Sequence, residues 1–369
     1  MDLRFTAADE AFREEVREFM RTSVPPEIAT DTRRWVNARP AYFRRWQGIL
    51  AARGGGAPHW PAKWGGTGWS ALRKHIFFEE LYRAYAPDFG WQGLHMMAPV
   101  LFAFGSEAQC RRWAPPMLTG EEFWCQGFSE PGAGSDLANL KSTAEYVGDE
   151  WVLRGQKIWT SDAADSDWGF FLVRTDATVK PQRGLSFIAV KMDTPGITVR
   201  PIRGIDGRHD LNEVFLDEVR VPADQLIGEP GKGWTYAKYL LEKERTASAF
   251  LYFNRRRFEM AKDIARQTLV HGRPLLEDRG FARKLARVDA DLHALNWSVL
   301  RILAEEPQKY DLNAVVSALK ISGSEMQQRV TELQIDALGP RAVRHFERDQ
   351  PHTEEAGLRR HWQEFTVGP

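Results

Sequence analysis

Apolar positions along the chain keep a helical period at both ends and a period of two in the middle. In AADEAFREEVREFM, Phe12, Val16, Phe19 and Met20 fall on one side of a helix, and Thr6 stands where an N-cap belongs. The same spacing predicts helices over ALRKHIFFEELYRAY and EAQCRRWAPPML, while GGGAPHWPAKWGGTGWS reads as loop. From about residue 120 the apolar positions alternate. STAEYV and EWVLRGQKIWT flank Gly148-Asp149, a two-residue hairpin signal, and DWGFFLVRT, LSFIAVKM, ITVRPI and NEVFLDEVRVP follow at short intervals. Such strands predict a small antiparallel barrel or sandwich. After GEPGKGW the helical period returns: Phe281, Leu285, Val288, Leu292, Leu295, Val299 and Ile302 alternate steps of four and three, a heptad seam. Its expected neighbours are long helices over YAKYLLEKERTASAFLYF and DLNAVVSALKISGSEMQQRVTELQIDAL, with Gly339-Pro340 ending the last one. The pattern is that of an α+β chain: an N-terminal helical domain over 1–119, a central antiparallel β-barrel or sandwich domain over 120–235, and a C-terminal long-helix bundle over 236–369.

Charge changes this picture by exclusion. Fifty basic side chains balance 50 acidic ones, so no electrostatic ground exists for nucleic acid or an anionic membrane as partner. Cys110 and Cys125 form neither a disulfide framework nor a metal spacing, which suits a reducing compartment. The N-terminus does not read as a signal peptide and no apolar run reaches membrane-spanning length, so the expected localisation is cytoplasmic. The nine histidines give no ligand pair for a metal, with His75 and His95 reading as polar members of helices. The charge run NRRRFEMAKD reads as a solvated helix face, a nucleotide or partner contact being the minor alternative.

The candidate chemistry lies in WCQGFSEPGAGSDLANL, Trp124 to Leu140. Gly127-Phe128-Ser129-Glu130 begins like a nucleophile elbow, but Pro131 occupies the place of the required glycine. Gly132-Ala133-Gly134 begins like a dinucleotide fingerprint, yet Leu137 stands where the third glycine belongs. What remains is a backbone cradle, small residues that let N–H groups approach a flat or anionic ligand. In KIWTS, Trp159 offers a broad π face, and the hydroxyl of Ser161 follows two residues later. Glu244 lies three residues after Leu241 and four after Leu240, a carboxylate on the apolar side of a helix.

SEPGAGSD, then KIWTS after a hairpin, VRVP, GEPGKGW and finally EKERT on a helix resemble the acyl-CoA dehydrogenase family, in the family's own order and over residues from about 5 to 340. More narrowly, WCQGFSEPGAGSD and DLNEVFLDEVRVP look like the large subunits of heteromeric members acting on dicarboxylic, polycyclic or steroid-type acyl-CoA. The resemblance implies FAD as cofactor, with Gln126, Phe128 and Ser129 along the flavin's pyrimidine edge, Gly134 and Ser135 closing the cradle, and Trp159, Thr160 and Ser161 as the other wall. Ser161 stands where the family usually has threonine on flavin N5, and Ser135 matches a position that touches the acyl-CoA. The resemblance also implies Glu244 as the base that abstracts the α-proton, Arg245 beside substrate and base, and an electron-transfer flavoprotein as redox partner. Trp91, Met96 and Met97 would shape an adaptable wall for a bulky or long acyl group.

Two departures stand against this pattern. TLVHGRPLL carries His271 and Thr268 where the family has an aromatic residue and an arginine to the FAD diphosphate, leaving Arg266 as the nearest candidate. The chain ends at HWQEFTVGP, where the family continues into a tail bearing further FAD contacts and a donor to the thioester carbonyl. The expectation is therefore a truncated chain or a homologous partner subunit in an α2β2 assembly, a homo-oligomer being the competitor. Two alternatives from other classes stay open: a catalytically silent subunit supporting a partner's flavin site, and a flavin monooxygenase on the same fold.

Overall fold

The computed structural model describes residues 5–34, 39–204, 209–247, 250–304 and 312–343. The chain divides into two compact units, one drawn from residues 1–42, 69–88 and 245–369, the other from 43–68 and 89–244.

The first unit is helical. Helix α1 (Ala7–Ser23) starts at Thr6, whose hydroxyl accepts from the Asp9 N–H while the Asp9 carboxylate accepts from the Thr6 N–H, so the end is capped reciprocally. Phe12, Val16 and Met20 are buried as the spacing requires. Helix α2 spans Pro26–Arg34, and α3 (Pro40–Ala52) crosses from this unit into the other. Helix α4 (Ala71–Arg83), capped by Ser70, brings Glu79 and Glu80 against Arg13 of α1, and Arg17 also bonds Glu80 at 3.0 Å. His75 of α4 is not at the surface: it is buried, and its Nδ1 stands 2.8 Å from the Tyr252 hydroxyl.

In the second unit a π-helical turn over Trp91–Met97 leads into α5 (Ala98–Phe104) and α6 (Glu107–Thr119), the latter capped by Ser106 and closed by left-handed Gly120. Met96 and Met97 are buried core residues. Eight strands form one sheet: β1 (Trp124–Gly127), β2 (Thr143–Val147), β3 (Glu150–Ser161), β4 (Trp168–Arg174), β5 (Leu185–Lys191), β6 (Ile197–Ile202), β7 (Leu211–Pro222) and β8 (Leu226–Ile227). Its order is β6-β7-β3-β2-β4-β5-β8, with β1 beside β4. Most pairings are antiparallel as expected, while β1 with β4 and the single β2 with β4 contact are parallel. The β2–β3 hairpin turns at Gly148, whose φ of 66° only glycine adopts without strain. Strand β4 is buried on both faces from Trp168 to Val173, which explains why its sequence runs apolar without alternation.

Helix α7 (Gly233–Ala247) crosses back to the first unit, followed there by α8 (Leu251–Gln267), α9 (Arg279–Ala304) and α10 (Leu312–Leu338). The stretch expected as one helix from Tyr236 to Phe253 is two, because Phe250 adopts a left-handed φ of 48° ahead of α8. The seam on α9 is as read: Phe281, Val288, Leu292 and Leu295 are buried against Met326, Val330 and Leu333 of α10 and Phe258, Ala261 and Ile264 of α8. A two-stranded hairpin, β9 (Leu269–Val270) with β10 (Arg273–Pro274), turns on His271 and Gly272, both at positive φ. Among the described residues no helix is long and apolar enough to cross a membrane.

One glycine ties β3 to the segment entering β2. Gly155 sits at a β-bulge with φ 144°, and a Cβ built there would lie 2.7 Å from the Ser142 Cα and 2.2 Å from its Oγ. Gly155→Ala is expected to lower the unfolding free energy by about 2–4 kcal/mol through backbone strain and overpacking. Denaturant melts check it, and a change below about 0.5 kcal/mol would show that the bulge relaxes.

Candidate functional site

Strand β1 delivers the small-residue loop. Gly127 passes over Phe171 so closely that a Cβ there would come within 2.2 Å of the ring. Gln126 is half-buried beside Phe170 in β4. The Phe128 ring turns inward and packs edge-on against Phe170 and Phe187, at 5.8 Å from each, so this residue anchors the loop through its side chain. Ser129 is half-buried, and its carbonyl accepts from the Ile158 N–H at 2.9 Å. Glu130 and Ala133 exchange both backbone hydrogen bonds at 3.0 Å around Pro131-Gly132. Gly134 and Ser135 are exposed, and a Cβ built on Gly132 or Gly134 would meet nothing within 4 Å. The loop therefore presents its small-residue edge to open space.

Two residues that the sequence reading passed over hold this loop in place. The buried Glu130 carboxylate accepts from the Lys141 N–H at 2.6 Å, the Ser142 N–H at 2.9 Å and the Lys157 ammonium at 2.8 Å. Lys157, fully buried in β3, also donates to the carbonyls of Leu172 at 2.7 Å and Phe128 at 3.2 Å. All three ammonium protons are thus used. Burial alone would raise the Glu130 carboxyl, but the Lys157 charge and the donors around it outweigh that effect and hold it below its ordinary value. Burial brings the Lys157 ammonium down to about 8, against the attraction of Glu130. A signal was available: counting in twos from buried Leu153 places Lys157 on the apolar face of the strand, where a lone ammonium requires an anion.

The second expected wall follows directly. The β3–β7 register slips between Lys157 and Thr160, and in that bulge Trp159 takes a φ of 60°. Trp159 is 56 % exposed, while Ser161 is half-buried and Thr160 fully buried. The Thr160 carbonyl accepts from Asn212 Nδ2 at 3.0 Å. Gln126 to Ser135 and Trp159 to Ser161 are therefore brought together, joined by the Lys157–Glu130 pair and by the Ile158 to Ser129 hydrogen bond. Glu244 and Arg245 fall on the backbone of α7, where Tyr236, Ala237 and Leu240 are buried; their own side chains lie outside the described residues. Arg266, the nearest candidate for the diphosphate arginine, is half-exposed and bonded to Asp263 at 2.5 Å. No group of three or more potential metal ligands exists among the described residues.

Three family profiles match the chain in succession: acyl-CoA dehydrogenase N-terminal domain over residues 6–121, middle domain over 125–219 and C-terminal domain over 231–368. The acyl-CoA dehydrogenase IpdE1 of Mycobacterium tuberculosis (strain ATCC 25618 / H37Rv) is 38% identical over 303 residues, 80% of this chain and 76% of that protein. Among solved structures, the Tcur3481-Tcur3483 steroid ACAD superposes with a TM-score of 0.83 at 29% identity, over 100% of this chain and 94% of the other. The ChsE4-ChsE5 complex from Mycobacterium tuberculosis gives 0.81 at 29% identity, over 100% and 93%.

Lys157→Met leaves Glu130 buried without its cation and is expected to lower the unfolding free energy by about 3–5 kcal/mol, with much of the loss recovered in Glu130→Gln/Lys157→Met. The pH dependence has a definite sign. Folded Lys157 titrates near 8 and the unfolded side chain at 10.5, so between those values the unfolded chain binds more protons and this group's contribution to stability rises with pH. Denaturant melts across that window should show wild type gaining on the double variant; a constant difference would mean that the attraction of Glu130 fully offsets the effect of burial on the ammonium.

Proposed function

The chain belongs to the acyl-CoA dehydrogenase family, a family of flavin-dependent oxidoreductases, and from that premise we propose that it introduces a Cα–Cβ double bond into an acyl-CoA thioester with FAD as its cofactor. The observation that carries the reading is the joined surface of the β unit, in which an exposed indole and an open small-residue loop are locked together by a buried ion pair. That surface fits a flat heterocycle. Trp159 offers a π face that burial in a core would waste, and the loop at Gly132 and Gly134 leaves room that side chains would fill.

In this reading Gln126, the backbone of Phe128 and Ser129, and Trp159 would hold the ring, and the Ser161 hydroxyl would serve as a hydrogen-bond donor to it. FAD, when bound, supplies the acceptor for the hydride that leaves Cβ. Glu244 takes the proton from Cα; a carboxylate does this well only where water is excluded and its basicity is raised. Arg245 steadies substrate and base, and Ser135 meets the acyl-CoA at the outer end of the loop. Thr160 sets the position of its two neighbours from the buried side of the strand.

The acyl group is bulky or long, in keeping with the steroid ACAD among the similar structures. Electrons pass onward to an electron-transfer flavoprotein. A homologous second chain completes the cofactor site in an α2β2 assembly, which the two-chain composition of the ChsE4-ChsE5 relative supports. Co-expression with such a chain is expected to raise flavin occupancy well above that of this chain alone, measured by absorbance; full occupancy and activity in the isolated chain would instead support a homo-oligomer.

Anaerobic mixing of the flavin-loaded protein with an acyl-CoA panel tests the reaction. Steroid-type or long acyl-CoA should bleach the flavin without oxygen or NAD(P)H, and butyryl-CoA should do so much more slowly. Glu244→Gln is expected to keep flavin and acyl-CoA binding and to slow bleaching by about 100-fold or more, since an amide of equal size cannot accept the proton. Near-normal bleaching in that variant would move the base to another residue, and a requirement for NAD(P)H and oxygen would favour monooxygenation.

A further inference from the structure

Helix α8 does not present a solvated face at its charge run. Asn254, Arg256 and Arg257 are buried, at 0 %, 8 % and 2 % exposure. Arg256 lines a cavity of about 420 Å³ that lies wholly within the helical unit, together with Tyr82, Tyr85, Tyr252, Phe258 and Leu292. That volume is within the range of small-molecule sites.

Most of the charges around this cavity face a partner, Arg83 among them at 3.9 Å from Glu79. Glu79 is paired with Arg13 and Arg255, Glu259 with Lys262 at 2.7 Å, and Asp289 lies 3.7 Å from His293. Arg256 is ringed by aromatics: its guanidinium carbon stands 4.9 Å from the ring centre of Tyr82, 5.6 Å from Phe253 and 5.9 Å from Tyr85, and Asp88, whose carboxylate accepts from the Tyr82 hydroxyl, attracts its charge from further off. No carboxylate reaches ion-pair distance of it among the described residues. Burial accordingly pulls its pKa below the ordinary arginine value. Cation–π contact offsets part of the cost of burying a guanidinium, but five N–H donors in a planar fork still call for an acceptor. A second feature points the same way. Tyr85 holds a left-handed φ of 54°, strain that a bulky residue sustains only where the surroundings impose it and that gathers at ligand clamps.

We propose that this cavity is a binding site for a small monoanion with a flat apolar body, an aryl carboxylate in class, with its carboxylate on the Arg256 fork and its ring among Tyr82, Tyr85 and Phe258. A carboxylate matches the fork in two parallel hydrogen bonds. Arg83, Arg255 and Arg256 balance Glu79, Glu259 and Asp289 around the cavity, so its walls carry no excess positive charge to hold a phosphate dianion, while the Arg256 fork suits a single negative charge. The aromatic walls select a flat ring over an aliphatic chain. None of this depends on the flavin reading, since no residue of the β unit takes part.

The test is calorimetric titration of the full chain with benzoate, with benzyl alcohol as the neutral isostere and inorganic phosphate as the anion without a ring. Wild type should bind benzoate with a dissociation constant of about 0.1–1 mM, a range set by ligand efficiency for so small a molecule. Arg256→Met should weaken it about 10-fold or more, the value of losing a charged hydrogen-bond pair. Should that variant fail to fold, His293→Trp decides. His293 stands at the exposed rim, and the larger ring should block entry while Arg256 stays in place, in a chain whose circular dichroism matches wild type. The proposal is overturned by any of three results: no saturable benzoate binding up to about 10 mM, a range well beyond that affinity; benzyl alcohol or phosphate binding as tightly as benzoate; or benzoate binding unchanged in the folded variants.

Discussion

The β unit turns on the contact between Lys157 and Glu130. An ammonium and a carboxylate withdrawn from water are costly unless every proton and lone pair is used, and here they nearly all are: two backbone N–H groups and the ammonium on the carboxylate, two carbonyls and the carboxylate on the ammonium. The pair spans three pieces of chain that a hydrophobic core alone would leave free to slide. It clamps the turn after β1, the segment entering β2, and the middle of β3. A loop made mostly of glycine, serine and alanine has little apolar surface with which to fix itself. The buried charge pair therefore joins the Phe128 anchor and the Ile158 to Ser129 hydrogen bond in giving it one conformation.

That constraint also accounts for the exposed tryptophan. Lys157 must point inward to reach Glu130, and two residues later the strand departs from regular pairing at the bulge that carries Trp159. The positive φ costs about 1–3 kcal/mol for a residue with a Cβ, and it is maintained because Thr160, fully buried, and the Ile158 to Ser129 hydrogen bond hold the chain on both sides. The result is a large π surface turned to open space beside the small-residue loop. An indole more than half exposed gains little from burial, and a flat ligand would give that face a partner.

Much of the fold was legible because it depends on local patterns. The Thr6 cap, the Gly148 turn and the α9 seam each follow from residues within a few positions of one another, and each stands as expected. The features that escaped depend on partners distant in sequence. Glu130 and Lys157 lie 27 residues apart, and nothing in either neighbourhood names the other. The break at Phe250 escaped because a phenylalanine carries no signal for a left-handed backbone. The charge of the NRRR run reads as solvated, whereas buried Asn254 meets the Gly323 carbonyl and buried Arg256 the Tyr82 ring, both far away in the chain. The two candidate walls were readable as motifs. What joins them was not, because a buried ion pair leaves no periodic trace.

The same physics makes three of the buried cations among the described residues informative by contrast. Lys157 is surrounded by oxygen, and its burial is explained by folding alone. Arg13, nearly buried between α1 and α4, likewise meets Glu79 and Glu80. Arg256 is buried to a similar degree as Arg13 but among rings, with the nearby carboxylates already engaged. A fold that needed only to fill this space would be served as well by leucine or methionine, which carry no desolvation cost. A guanidinium kept there with no carboxylate at ion-pair distance among the described residues, only Asp88 attracting it from further off, is an arrangement that an anion from outside the chain would complete.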